Sequence, residues 1–303
     1  MTDEKKGMLA AGTAYAIFGL TYLFSKVALE YAPPFILLFA RFSVTVVALN
    51  LLVATKVFPL RLKGKPIIQA VLLGVLQPVL YFALENYGLA YTTTSFTGIV
   101  ASISPIFTAV LGVIFLREKP NGKQWICILL SIAGVMMVSL GGTGGQNTVS
   151  GCLCLLGAYF CGAFYTILVR RLSKVFSAFE LTYVMFTVGV VFFAGLAFAT
   201  YRTDTLPMIT GALIHWEFIA ACLFLGGVAS VGAYMLVNYS LSRLTVTRSA
   251  IFSCFATLIS VLSGVLIMKD SFTPVSAVAF VLILLGVWGV NRFAAPAAEP
   301  VEK

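Results

Sequence analysis

Long apolar segments separated by short polar stretches recur along the whole chain. A membrane-spanning helix needs about 17 to 25 predominantly apolar residues. Ten segments of roughly this length can be placed on the sequence, near Met8–Leu29, Pro34–Thr55, Pro66–Leu89, Thr93–Leu116, Lys123–Leu140, Ser150–Arg171, Ala178–Thr200, Trp216–Leu241, Thr245–Met268 and Thr273–Asn291. The pattern therefore predicts an all-α membrane protein with ten transmembrane helices.

Composition supports this interpretation and excludes a water-soluble fold. Of the 303 residues, 60% are hydrophobic and only 10% are charged, and the mean hydropathy is +1.01. A soluble domain is about half apolar and about a quarter charged. With so few polar residues to cover a surface, most of this protein must be solvated by lipid, where every backbone amide is bonded within its own helix.

The net charge of +9 is better explained by topology than by a nucleic-acid partner, because the basic residues lie in short clusters between the apolar segments. If the amino terminus is cytoplasmic, the outer connections hold Arg202 and Lys269 as their clear basic residues. The inner connections hold Lys5, Lys6, Lys56, Arg61, Lys63, Lys65, Arg117, Lys119, Lys123, Arg170, Arg171, Lys174, Arg243 and Arg292. Both termini are therefore predicted to be cytoplasmic.

The chain also contains an internal repeat. At an offset of 152 residues Asn86–Tyr87 aligns with Asn238–Tyr239, and Arg117–Glu118 aligns with Lys269–Asp270; at an offset of 144, Ala14–Tyr15 aligns with Ala158–Tyr159. We predict a first repeat over residues 1–145, a second over 146–293 and a disordered cytoplasmic tail over 294–303. Since each repeat has an odd number of spans, the two copies enter the membrane from opposite sides, an arrangement common in alternating-access transporters.

A set of short motifs recurs in the order and spacing of a known family. In the first copy they are Phe18–Gly19, Phe24–Leu29, Pro33–Pro34, Arg41–Phe42, Tyr91 to Ser95, Ser104–Pro105, Gly112, Leu116–Arg117–Glu118 and Ala133–Gly134–Val135. On these residues the chain resembles the EamA family of the drug/metabolite transporter superfamily. The second copy departs from the pattern, with Thr257 in the place of Pro105, Met185 in the place of Arg41, and Lys269–Asp270 at the end of the ninth segment.

The resemblance implies a ten-helix carrier of small metabolites, without a cofactor, in a bacterial inner membrane. Among bacterial members the chain is most similar to amino-acid exporters, including those of aromatic amino acids. Export of drugs or lipophilic organic cations is the alternative within the same class. A membrane scaffold that transports nothing is the alternative from a different class, and it would need no accessible cavity.

Three ionisable residues fall at membrane depth, where charge is costly and usually faces the protein interior. They are Lys26, Arg41 and Glu85, all within about 10 Å of the predicted periplasmic boundary when 1.5 Å is counted per helical residue. Glu85 can neutralise Arg41 or Lys26 as a structural ion pair. Alternatively, the group forms a proton-coupling or substrate-charge site, with Glu85 as the coupling residue.

Polar and aromatic residues of the first, third, sixth and eighth segments are the candidates for lining a solute site, because their polar tips sit on apolar bodies. They are Tyr15, Tyr22, Gln77, Tyr81, Asn86, Tyr159, Tyr165, Tyr234 and Asn238. The competing interpretation is packing for the tyrosines and bonding between helices for Gln77 and the two asparagines. Pro78 and Pro105 are expected to kink their spans as hinges, without breaking either helix clearly.

Enzyme and nucleotide-driven functions are not indicated. Gly64–Lys65 and Gly122–Lys123 lack the glycine spacing and the following Ser or Thr of a phosphate loop. His215 is the single histidine and no catalytic triad can be assembled around it. The six cysteines lie within or beside apolar segments with no second ligand cluster, so we predict no metal site.

Overall fold

The structure is a computed structural model, and it describes residues 3–56, 58–116, 122–140, 147–244 and 252–293. Over these residues the regular structure is entirely helical. The predicted tail at 294–303, parts of two predicted connections at 117–121 and 141–146, and the start of the ninth predicted span at 245–251 lie outside the described residues.

The helices follow the predicted apolar segments closely. The first half contains α1 (Asp3–Leu29), α2 (Pro34–Ala54), α3 (Ile67–Gly74), a π-helical stretch Val75–Leu80, α4 (Tyr81–Ala90), α5 (Thr94–Ala101), α6 (Ser104–Leu116) and α7 (Gly122–Leu140). The second half contains α8 (Val149–Leu172), α9 (Ala178–Tyr201), a 3₁₀ turn Arg202–Asp204, α10 (Thr205–Ala212), α11 (Trp216–Leu223), a π-helical stretch Phe224–Ala233, α12 (Tyr234–Leu241), α13 (Ser253–Leu266) and α14 (Pro274–Arg292).

Six helical segments of the described chain are long and apolar enough to cross a membrane. They are Lys5–Leu29, Pro34–Ala54, Ile67–Ala90, Val149–Leu172, Ala178–Ala212 and Trp216–Leu241. Shorter apolar helices cover Thr94–Thr108, Ala256–Leu266 and Pro274–Gly289. The prediction of a helical protein with several membrane-spanning segments is confirmed.

The third predicted span is broken, and the expectation that no helix would be clearly interrupted was wrong. Gln77, inside the π-helical stretch, has φ −145° and ψ 115°, which are extended rather than helical angles. Pro78 follows it directly and has no backbone N–H to donate. The chain therefore leaves the helical path beside Gln77 and resumes it in α4.

The fourth predicted span is also divided, between α5 and α6. Ser102 and Ile103 separate the two helices, and Pro105 is the second residue of α6. At that position the missing N–H removes no intrahelical hydrogen bond, because the first amides of a helix have no partner within it. Pro105 therefore begins a helix and does not bend a continuous one as the sequence had predicted.

Helices that are counterparts in the two halves make equivalent contacts with the opposite half. The first helix, α1, packs on α11, α12 and α13, and its counterpart α8 packs on α4, α5 and α6. Three pairs of counterparts also meet directly: α2 with α9, α5 with α13, and α7 with α14. This pattern is that of two halves related by a pseudo-twofold axis, with helices of each half packed into the other.

Apolar side chains cover the outside, while many polar ones are buried. Val191, Trp216 and Leu266 are 68%, 72% and 73% exposed, whereas Thr45 and Asn238 are fully buried. A soluble protein distributes its residues in the reverse sense. The outer surface of the helices is thus suited to contact with lipid tails.

One carboxylate joins the connection between α2 and α3 to the start of α9. Glu180 accepts hydrogen bonds from the backbone N–H of Arg61, at 3.1 Å, and from the ammonium group of Lys65. The same side chain accepts from the N–H of Ser177, whose hydroxyl accepts from the N–H of Glu180 in a capping box. The buried carboxylate thereby caps α9 and holds the connection against it.

Helix α2 approaches the π-helical stretch of the second half very closely at Gly226. A Cβ atom built there would lie 2.5 Å from the carbonyl oxygen of Arg41 and 2.8 Å from the Cβ of Val44. The hydroxyl of Thr45 donates to the carbonyl oxygens of both Arg41 and Gly226, at 2.9 and 3.0 Å. Only a glycine permits this contact, which fixes the backbone on either side of Arg41.

We predict that Gly226→Ala destabilises the protein by about 1 to 3 kcal/mol, because the added methyl group meets backbone and cannot be accommodated by a rotamer change. Thermal unfolding in detergent, followed by the apparent midpoint, measures the effect. Gly227→Ala is the matched control, since a Cβ at Gly227 meets nothing within 4 Å. Equal midpoints for the two variants would contradict the close approach.

Candidate functional site

A cavity of about 130 Å³ lies between the two halves, large enough for several water molecules. Its walls come from the first, second, third, fourth, sixth, eighth and ninth predicted spans. The lining side chains are those of Tyr15, Phe18, Thr21, Tyr22, Arg41, Gln77, Tyr81, Phe82, Glu85, Ala101, Ser104, Thr108, Tyr159, Gly162, Ala163, Tyr165, Thr166, Tyr234, Val237, Ala256 and Thr257. Aromatic rings and polar groups alternate around the space.

Arg41 brings a buried positive charge to the cavity from α2. Its side chain is 1% exposed, and its Nε donates to the hydroxyl of Ser230 at 3.1 Å across the boundary between the halves. The guanidinium carbon lies 4.3 Å from the centre of the Phe82 ring, a favourable cation–π distance. Its Nη1 atom is buried and has no hydrogen-bond partner.

Gln77 reaches the cavity from the break in the third span. Its amide nitrogen donates to the hydroxyl of Tyr234 in the second half, and its Oε1 atom is buried without a partner. The side chain is 5% exposed. The extended backbone at this residue interrupts the helix at the point where the polar side chain meets the cavity.

Glu85, one turn beyond Tyr81 on α4, is the acidic residue of the cavity. It is 5% exposed, and its carboxylate accepts a hydrogen bond of 2.7 Å from the Tyr81 hydroxyl. Glu85 and Arg41 attract each other through space, yet no ion pair joins them in the described part of the chain. Of the two alternatives considered for Glu85, a structural ion pair with Arg41 or Lys26 is not seen among the described residues.

Lys26 has a different partner from the one predicted. Its ammonium group donates to the carbonyl oxygens of Leu89 and Thr92, at 2.8 and 2.5 Å, beside the end of α4. The last carbonyls of a helix lack partners within the helix, and a lysine there satisfies them and complements the helix dipole. Lys26 does not line the cavity, so the structure places it in a capping role.

The six predicted tyrosines, Tyr15, Tyr22, Tyr81, Tyr159, Tyr165 and Tyr234, all line the cavity. The hydroxyl of Tyr159 donates to the Tyr22 hydroxyl at 3.5 Å and lies 3.3 Å from the carbonyl oxygen of Thr97. These contacts tie α8 of the second half to α1 and α5 of the first.

The two asparagines predicted for the site do not line it. Asn238 accepts from the Tyr165 hydroxyl at 2.6 Å and donates to the Thr182 hydroxyl at 2.9 Å, which joins α12 to α8 and α9. Asn86 donates to the carbonyl oxygen of Phe82 in its own helix, and its Oδ1 has no partner. The alternative of bonding between helices is correct for Asn238.

Several lining residues were missed from the sequence, and the internal repeat could have found some of them. Phe82 is the counterpart of Tyr234 at the offset of 152, and Thr166 is the counterpart of Tyr22 at the offset of 144. Thr257, the counterpart of Pro105, also lines the cavity. Small residues such as Gly162 and Ala256 gave no signal, because only the fold shows which glycine or alanine lies in the cavity wall.

The charged and amide groups of the cavity come from the first half alone. Their counterparts in the second half are Met185 for Arg41, Ala229 for Gln77 and Val237 for Glu85, all apolar. The second half instead contributes Tyr159, Tyr165 and Tyr234. A symmetric scaffold thus encloses an asymmetric site.

The comparisons with known proteins agree with this architecture. Two separate matches to the EamA-like transporter family cover residues 5–140 and 149–292. The chain belongs to the EamA family. It is a multi-pass membrane protein of two EamA repeats, as the sequence motifs had predicted.

Similar proteins are named as transporters, and the similarity covers nearly their whole length. The chain is 31% identical over 278 residues to the uncharacterized transporter YcxC of Bacillus subtilis (strain 168), covering 91% of this chain and 89% of YcxC. It is 24% identical over 293 residues to the uncharacterized inner membrane transporter YedA of Escherichia coli (strain K12), covering 95% and 92%. A solved crystal structure shares the fold, with a TM-score of 0.66 at 17% identity over 96% of this chain and 98% of its own.

We predict that Lys26→Met destabilises the protein by about 1 to 3 kcal/mol, because two carbonyl oxygens lose a charged donor. Solute binding per folded molecule should be unchanged, since Lys26 does not line the cavity. Lys6→Met on the same helix is the control, because Lys6 makes an exposed ion pair with Asp3 at 3.7 Å that adds little stability. Lost binding with an unchanged unfolding midpoint would contradict the capping role.

Proposed function

We propose that the protein is a secondary transporter that exports a small organic solute across the bacterial inner membrane. In this proposal the ten predicted segments all span the bilayer, and both termini are cytoplasmic, as the basic residues of the connections indicate. The two repeats, residues 1–145 and 146–293, act as the two moving halves.

The observation that carries the proposal is the cavity between the two halves, which is lined by Arg41, Gln77, Glu85 and six tyrosines. In transporters built from inverted repeats the solute site lies at the interface of the repeats, beside interrupted helices. Both interruptions of the first half, at Gln77 and at Ser102, are close to cavity-lining residues. Rocking one half against the other would open this site alternately to either side.

Amino acids, aromatic ones included, or related small metabolites are the proposed solutes. The site combines charge of both signs with six tyrosine rings, which suits a solute with polar and apolar parts. The similarity to bacterial amino-acid exporters noted from the sequence motifs agrees with this assignment.

Lipophilic organic cations are the alternative solutes, favoured by one observation. The Glu85 carboxylate lies among the Tyr81, Tyr22 and Tyr159 rings, and a carboxylate beside aromatic faces attracts cations.

A scaffold without transport has no such support, because it needs no polar cavity at the interface of its halves.

The direct test is transport by the purified protein in liposomes, measured with a panel of labelled amino acids and with a labelled lipophilic cation, with and without a pH gradient. We expect saturable uptake of at least one amino acid, inhibited by excess unlabelled solute. Protein-free liposomes are the control. Absence of saturable flux for every amino acid and for the cation would refute the transporter assignment.

Glu85 is the proposed proton-coupling residue, and Glu85→Gln should abolish the dependence of flux on the pH gradient. Glutamine retains the shape and an acceptor for Tyr81 but cannot exchange a proton at neutral pH. Flux down a solute gradient should persist at saturating solute. Tyr183→Phe is the control, because it removes a hydroxyl that lies away from the cavity and is bonded to Asn50. A full response of the flux to the pH gradient in Glu85→Gln would exclude Glu85 as the coupling residue.

A further inference from the structure

Two residues that line the same cavity each carry a buried side-chain atom without a hydrogen-bond partner. The atoms are Nη1 of Arg41, which can only donate, and Oε1 of Gln77, which accepts. Buried polar groups in native proteins are nearly always paired, and those that are not require an explanation such as a missing ligand. A ligand for this site should therefore bring both an acceptor and a donor.

The two charges of the site point to the same ligand. Arg41 and Glu85 line one cavity and attract each other, yet they do not form an ion pair. Arg41 is always protonated, and its contacting neighbours Phe42, Phe82 and Ser230 carry no negative charge. A solute that carries both a carboxylate and an ammonium group would provide a counter-charge for Arg41 and for Glu85.

We propose that Arg41 binds the carboxylate of a zwitterionic α-amino acid, while Glu85, held by Tyr81, binds its ammonium group. Gln77 accepts from the same ammonium group through Oε1 and remains bonded to Tyr234 through its amide nitrogen. This inference rests on the proposed transport function and names the residues that select its solute.

The remaining walls define the side chain of the solute. Tyr159, Tyr165, Tyr234 and Val237 come from the second half, whose counterparts to Arg41 and Glu85 are uncharged. An uncharged, apolar or aromatic side chain is complementary to these walls. A lipophilic cation, in contrast, would place a second positive charge near Arg41 and leave its Nη1 unpaired.

The first test uses the wild-type protein and removes one charge of the ligand at a time. Apparent dissociation constants come from the shift of the thermal-unfolding midpoint with ligand concentration in detergent. The probes are L-phenylalanine and L-leucine, their amines phenethylamine and isoamylamine, and the acid 3-phenylpropionate. We expect at least one amino acid to bind about 10- to 100-fold more tightly than its amine, because a charge-assisted hydrogen bond is lost.

The second test exchanges Arg41 for Met, the residue at the equivalent position of the second repeat. Arg41→Met should weaken binding of the amino acid about 10- to 100-fold and leave binding of the amine unchanged or tighter. Glu85→Gln should weaken binding of both ligands. A purely structural role of Arg41 would instead weaken both equally, and Tyr183→Phe serves as the control outside the site.

The outcomes separate this inference from the transport function. Amino acid and amine binding equally well to the wild type, or no binding of either amino acid, would overturn the zwitterion site even if other solutes are transported. If Arg41→Met does not fold, Arg41→Lys takes its place in the test. Lysine keeps the positive charge, so tighter binding of the amino acid than of the amine should persist. Loss of that preference in a folded Arg41→Lys protein would overturn the binding of the carboxylate by the charge at this position.

Discussion

The burial of one guanidinium group between the two halves is the interaction on which the rest of the site depends. A charge taken out of water costs many kcal/mol unless other groups compensate for it, and an arginine cannot release its proton. Arg41 is compensated from three directions: by the Ser230 hydroxyl of the other half, by the Phe82 ring and by the field of Glu85. The close approach at Gly226 fixes the backbone that carries it.

The same interaction explains why the two halves are alike in fold and different in chemistry. Helix contacts are preserved when the halves are exchanged, because packing depends on size and shape at the interface. Charge is not preserved: Met185 and Val237 occupy the positions equivalent to Arg41 and Glu85. A single arginine and a single glutamate from one half are therefore faced by tyrosines from the other.

Much of the fold could be predicted from the sequence, because the physics of a bilayer acts on long stretches of chain. Apolar length located the helices, and the repeat offsets predicted which helices are counterparts. The aromatic residues of the site were also predictable, since a tyrosine in a span needs both apolar surroundings and a partner for its hydroxyl. All six predicted tyrosines line the cavity.

The errors concern local geometry that depends on the neighbour across the interface. A proline in an apolar segment has the same sequence signature whether it follows a break, as Pro78 does, or starts a helix, as Pro105 does. Lys26 was assigned to Glu85 by charge, but the carbonyls at the end of α4 are its partners. Asn238 and Asn86 are repeat counterparts, yet only Asn238 meets a tyrosine and a threonine on neighbouring helices.

A structure of the protein determined with a transported amino acid bound tests the central claim most directly. The account predicts the solute in the cavity between the halves, with its carboxylate within hydrogen-bond distance of the Arg41 guanidinium and its ammonium group at Glu85. A solute bound elsewhere, or an Arg41 paired directly with Glu85 while the solute is bound, would contradict it.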